Sequence, residues 1–115
     1  MSAPYTGQQP IDDFGLSFSK LKYNATLAIT TDTSLTVPGA SPRYKAVMKC
    51  EPTGHVWVAL NTAAAAAAGS SFAATSSELL TEGQKLCREV KAGDVLHFYS
   101  ITATTDVSVV LYPVI

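Results

Sequence analysis

His55-Val56-Trp57-Val58-Ala59-Leu60 is the stretch whose reading decides the fold. Val56, Val58 and Leu60 alternate with His55, Trp57 and Ala59, a period of two that puts the two sets on opposite faces of a half-buried β-strand. Val107, Val109 and Leu111 repeat the pattern near the C-terminus. Working outward from these two, short stretches rich in β-branched and aromatic residues recur from Leu16 onward. They are Leu16 to Lys22, Ala25 to Thr30, Ser34 to Val37, Tyr44 to Cys50, Val56 to Asn61, Glu78 to Leu80, Lys85 to Val90 with Val95 to Ile101, and Asp106 to Tyr112. About eight short strands are therefore expected. Pro38-Gly39, Pro52-Thr53-Gly54, Glu82-Gly83 and Ala92-Gly93-Asp94 separate them with residues suited to tight reversals, which implies antiparallel pairing. The predicted fold is all-β, an antiparallel β-sandwich, with an immunoglobulin-like strand order and a jelly roll both open.

The length of 115 residues accommodates one domain and no second core. Residues 1–14 mix Pro4, Gly7 and Pro10 with polar residues, and read as an extended N-terminal arm, either a frayed terminus or a segment that orders only against a partner; residues 15–115 are expected to form the single sandwich domain. Ala63 to Ala68, followed by Gly69-Ser70-Ser71, has helix-forming composition but is too short to form a stable helix alone and has no amphipathic pattern. It reads as a loop of small residues able to lie flat against another subunit.

Charged residues make up 15% of the chain, with a net charge of −1, so much of the surface must be neutral and small. That composition suits close packing against another protein better than binding to nucleic acid, which rewards clustered Lys and Arg; the eight basic residues are scattered along the chain. The opening Met1-Ser2-Ala3-Pro4 has neither the basic start nor the apolar run of a secretory signal, no stretch is long and apolar enough to span a bilayer, and a cytoplasmic site of synthesis is expected. Cys50 and Cys87 are expected to be two reduced thiols, with a disulfide between neighbouring strands as the alternative.

His55 and His97 are the only histidines and do not supply the converging ligands of a metal centre. Ser70 and Ser71 lie in low-complexity sequence without a nucleophile-elbow pattern, and Asp12-Asp13 and Asp106 read as solvated charges. No phosphate-binding glycine loop or dinucleotide fingerprint occurs. The expectation is no enzyme, no cofactor and no metal. Trp57, opposite Val56 and Val58, should face outward if the valines face the core; as an outward residue it is either an interface anchor or, with Tyr99 and Tyr112, a sugar-stacking platform.

Pro52-Thr53-Gly54-His55-Val56-Trp57-Val58-Ala59-Leu60-Asn61, the Ala/Ser/Thr loop, Glu89 to Ser100 and the closing strand Val107 to Tyr112 together resemble small virion proteins of tailed bacteriophages, in particular the β-sandwich or jelly-roll decoration (cement) proteins of the capsid exterior. The resemblance covers roughly the last 70 residues and carries over no residue-level motif. It implies a virion structural protein made in the host cytoplasm, which binds the major capsid protein, associates with itself as a dimer or trimer, has no nucleic-acid or membrane partner, and stabilises the shell by bridging subunits. A tail, fibre or baseplate component, and a carbohydrate-binding module, are the alternatives. Independently of the resemblance, Pro4, Tyr5, Pro10 and Phe14 of the arm, Trp57, and Ala65, Ala66 and Phe72 of the loop are the candidate interface residues.

Overall fold

A computed structural model describes residues 19–51, 55–67, 69–72, 74–102 and 105–114. The expected arm over residues 1–14, with Pro4, Tyr5, Pro10 and Phe14, lies outside the described residues.

Eight strands form two antiparallel sheets: β1 (Leu21–Leu27), β2 (Thr33–Thr36), β3 (Arg43–Glu51), β4 (His55–Leu60), β5 (Ser77–Thr81), β6 (Leu86–Lys91), β7 (Val95–Ser100) and β8 (Thr105–Pro113). One sheet has the order β1-β8-β3-β6 and the other β2-β7-β4-β5. The chain is thus an all-β sandwich. Two of the expected strand segments, Leu16 to Lys22 and Ala25 to Thr30, are corrected: within the described residues one unbroken strand runs through Tyr23 and Asn24, paired with β8 from Leu21↔Leu111 to Leu27↔Thr105. A polar Asn24 weakens the local β signal, but its place opposite Ser108 on the outer face makes it harmless there.

The connectivity follows a simple rule. β1 pairs with β8, β2 with β7, β3 with β6 and β4 with β5, so four pairings join strands whose numbers sum to nine. This is the pattern of one long hairpin, with residues 61–76 at its tip, rolled so that β3 meets β8 and β4 meets β7. All links except β4 to β5 cross from one sheet to the other. The chain therefore reverses at Pro38-Gly39, Glu82-Gly83 and Ala92-Gly93-Asp94 as expected, yet none of these turns joins hydrogen-bonded neighbours; Pro52-Thr53-Gly54 lies outside the described residues. In the β6–β7 turn, Gly93 has φ 87, its N–H donates to the Val37 carbonyl (3.0 Å), and the Asp94 carboxylate accepts from the Lys91 N–H (2.8 Å). A residue with a Cβ is strained at that φ.

Between the sheets lies a core built by period-two burial. In β3, Tyr44, Ala46, Met48 and Cys50 are all buried and alternate with outward-facing residues, and Val107, Val109 and Leu111 do the same in β8. From the facing sheet, Val56, Val58, Leu80, Leu96 and Phe98 complete the cluster. The fully buried Tyr44 keeps its hydroxyl satisfied by accepting from the Ser41 N–H at 2.8 Å. At one margin, Arg88 of β6 and Glu78 of β5 point inward from opposite sheets and close the gap as an ion pair, with Arg88 Nε 3.0 Å from Glu78 Oε2. Cys50 faces the core and Cys87 the outer side of the same sheet, paired with Val47; both are free thiols. Opposite faces of one sheet keep the two sulfurs apart.

Candidate interaction face

The outer face of the β2-β7-β4-β5 sheet gathers the residues that composition and alternation single out. Val56 and Val58 are buried in the core, so Trp57 faces outward and is half-buried. Across the sheet it pairs with Leu79 on one side and Tyr99 on the other, making an apolar row Leu79-Trp57-Tyr99 over three strands. Directly opposed side chains on one face of an antiparallel pair lie close enough to touch, so this row is a continuous surface. Leu79 is 43% exposed and Ile101, just beyond β7, 49%. His55 is exposed at the same end of β4. None of the four strands contains Lys or Arg.

The loop after β4 folds back over the same sheet. Asn61 adopts φ 60, donates its backbone N–H to the Val95 carbonyl (2.7 Å) and accepts from the Val95 N–H through Oδ1 (2.8 Å), which turns the chain at the strand end. Ala59 points outward yet is only 2% exposed, and Ala64 is 4% exposed, although neither belongs to the core cluster. The loop covers that part of the sheet. It is held there by Asp32, whose Oδ1 accepts from the Ala64 N–H at 3.0 Å and whose Oδ2 lies 2.7 Å from His97 Nδ1, and by Ser77, whose hydroxyl accepts from the Ala65 N–H at 3.2 Å. Burial pushes the Asp32 carboxyl up, but hydrogen bonds from His97 and the Ala64 N–H, together with the charge of His97, outweigh it and hold the group below the ordinary carboxylate value.

Of the predicted interface residues, Trp57 lies in the apolar row; Ala65 is exposed and Ala66 half-buried in the docked loop; Phe72 projects fully into solvent. Tyr112, expected beside Trp57 and Tyr99, is separated from them: it lies on the outer face of β8 in the other sheet, next to Lys45. Sequence reasoning missed Leu79 and the Asp32–His97 pair. Leu79 and Leu80 adjoin in β5, so no alternation marks which faces out. Asp32 and His97 are 65 residues apart.

Chemically this face offers apolar contact more than reactivity. Ser34 stands opposite His97 in the β2–β7 register, and among the described residues no hydroxyl or thiol donates to the imidazole. No group of three or more His, Cys, Asp or Glu side chains converges among the described residues. Compared with known proteins, the chain matches no protein-family model, no curated protein and no solved structure.

Proposed function

We propose that the chain is a virion structural protein, a decoration protein that seats on the exterior of a phage capsid and stabilises the shell by bridging major capsid subunits. The observation that carries this reading is the Leu79-Trp57-Tyr99 row on an outer sheet face whose strands hold no basic residue. Aromatic residues on a neutral face supply large contact area at low conformational cost, which is what an interface centre needs. The rolled-hairpin pairing supports the jelly-roll form of the sandwich that the resemblance implies. A subunit that touches two or three neighbours at once gains affinity by multivalency, and by binding only the assembled state it stabilises that state. In this reading the protein performs no catalysis and holds no cofactor, and the alanine loop and Phe72 flank the contact.

Mixing the protein with mature phage shells that lack it, then sedimenting them, tests the proposal. Binding at a fixed ratio, with a raised shell melting temperature and loss of both in Trp57→Ala, is the expected result. Absence of binding to shells refutes it. A second reading rests on one geometric fact: Trp57 and Tyr99 are directly opposed on one face, as a saccharide-stacking pair would be. Saturable binding to a glycan array that Tyr99→Ala abolishes, with none to shells, would establish that reading instead.

A further inference from the structure

The fold does something to the charges that their order in the chain conceals. All eight Lys and Arg residues belong to, or immediately flank, the strands of the β1-β8-β3-β6 sheet: Lys20 and Lys22 at β1, Arg43, Lys45 and Lys49 on β3, Lys85 at the start of β6, and Arg88 and Lys91 on it. The strands of the opposite sheet have none. Scattering along the sequence thus becomes segregation in space.

Register fixes how the outer face of this sheet is laid out. Lys22, Val110, Val47 and Cys87 form one row across the four strands, half-buried valines at its centre. On one side lies the row Asn24-Ser108-Lys49, and on the other Tyr112-Lys45-Glu89, followed by Arg43 beside Lys91. Five cationic side chains share the face with the carboxylates of Glu51, Glu89 and Asp106, and Arg43 is paired with Glu89 at 2.9 Å. The rest of a chain whose net charge is −1 must carry the compensating negative excess.

We infer that the outer face of the β1-β8-β3-β6 sheet is a docking surface for a protein partner that presents carboxylates around a small apolar patch. Complementary charge steers such a partner to the face and sets its register, while the Val47–Val110 centre supplies contact that pure electrostatics cannot. The same layout disfavours nucleic acid, because a continuous phosphate backbone rewards an unbroken basic stripe and Glu51, Asp106 and Glu89 interrupt this one, whereas a folded partner can set its carboxylates against the lysines and neutral groups against the acids. Four strands of this length present roughly 20 by 30 Å, or about 600 Å², somewhat less than the surface each partner contributes to a standard interface and typical of a weaker contact. This inference goes beyond the shell-binding proposal and holds or fails without it. Its face is opposite the Trp57 face, so one subunit offers two chemically different surfaces.

The test uses the whole protein and three fluorescent probes of equal charge: a peptide in which Glu and Leu alternate, an all-Glu peptide, and oligothymidylate. The alternating peptide should bind tightest, and its affinity should fall as salt rises. Lys49→Gln combined with Lys91→Gln should weaken it about tenfold, whereas Thr36→Glu combined with Thr75→Glu, the same change in net charge placed elsewhere, should leave it within about twofold. Val47→Ser should weaken the alternating peptide and not the all-Glu one. Equal losses from the two double variants, no loss from the first, or tighter binding of oligothymidylate would overturn the inference. Thermal melts of each variant confirm that the comparison is between folded proteins.

Discussion

Replacing Trp57 by alanine measures which way the sandwich faces. A Trp side chain carries on the order of 200 Å² of surface, and at this partly covered site roughly two-thirds or more of it leaves water; at about 25 cal/mol per Å² the loss is about 3 kcal/mol, part of it shared with the cross-strand contacts to Tyr99 and Leu79. Phe98 is 4% exposed in the core, where truncation also leaves a cavity, and Phe98→Ala should cost about 3–5 kcal/mol. Urea titrations of the two variants, followed by circular dichroism, should give unchanged slopes and lowered midpoints. Trp57→Lys sharpens the contrast: on an outer face the lysine reaches water, and the cost should exceed that of Trp57→Ala by no more than about 1 kcal/mol. Because Trp57 is the only tryptophan, iodide should quench the native fluorescence. A Trp57→Lys chain that does not fold, or a native fluorescence that iodide leaves unquenched, would refute the assignment of faces and with it the Leu79-Trp57-Tyr99 surface.

Asp32→Asn removes the charge-assisted hydrogen bonds that hold the β4–β5 loop; it should destabilise the fold by about 1 kcal/mol and hasten proteolysis within residues 61–76, read by mass spectrometry of the fragments. The Asp32 carboxyl is held below its ordinary value in the folded state, and so is Glu78, where the hydrogen bond from Arg88 outweighs burial. Their contributions are therefore full above the unfolded-state pKa and disappear as pH falls through the folded one, so acid should lower the melting temperature, less steeply in Asp32→Asn. Glu51 and Asp106 are directly opposed like charges, and Glu51→Lys should raise stability by about 0.2–1 kcal/mol in urea titration. With Cys50 buried and its thiol pushed up chiefly by that burial, a thiol reagent should label Cys87 in the native protein and Cys50 only on unfolding.

What could be read in advance, and what could not, divides by range. Local alternation in Val56 to Leu60 and Val107 to Leu111 reports which side chains share a face, and it placed Trp57 opposite its valine neighbours. Alternation carries no record of which strand lies alongside, so Tyr112 was grouped with Trp57 and Tyr99 although β8 lies in the other sheet. The pairing of Leu21 with Leu111, the meeting of Asp32 with His97 and the gathering of the lysines all join distant segments, and each depends on how the hairpin rolls. Turn residues announced reversals but not the change of sheet that accompanies most of them.

One consequence of the pairing pattern concerns the timing of folding. The strand nearest the C-terminus, β8, is no edge strand; it sits between β1 and β3, and β1 has no other partner in its sheet. As the ribosome releases the chain, β1 emerges first of the eight and must wait for the last before its backbone groups find their mates. A chain shortened by that single strand would lose the keel of the sheet, leaving β1 stranded and the core residues Met48 and Cys50 without Val109 and Val107 at their side. Folding should accordingly be slow and all-or-none, completed only once β8 is free to pair between β1 and β3.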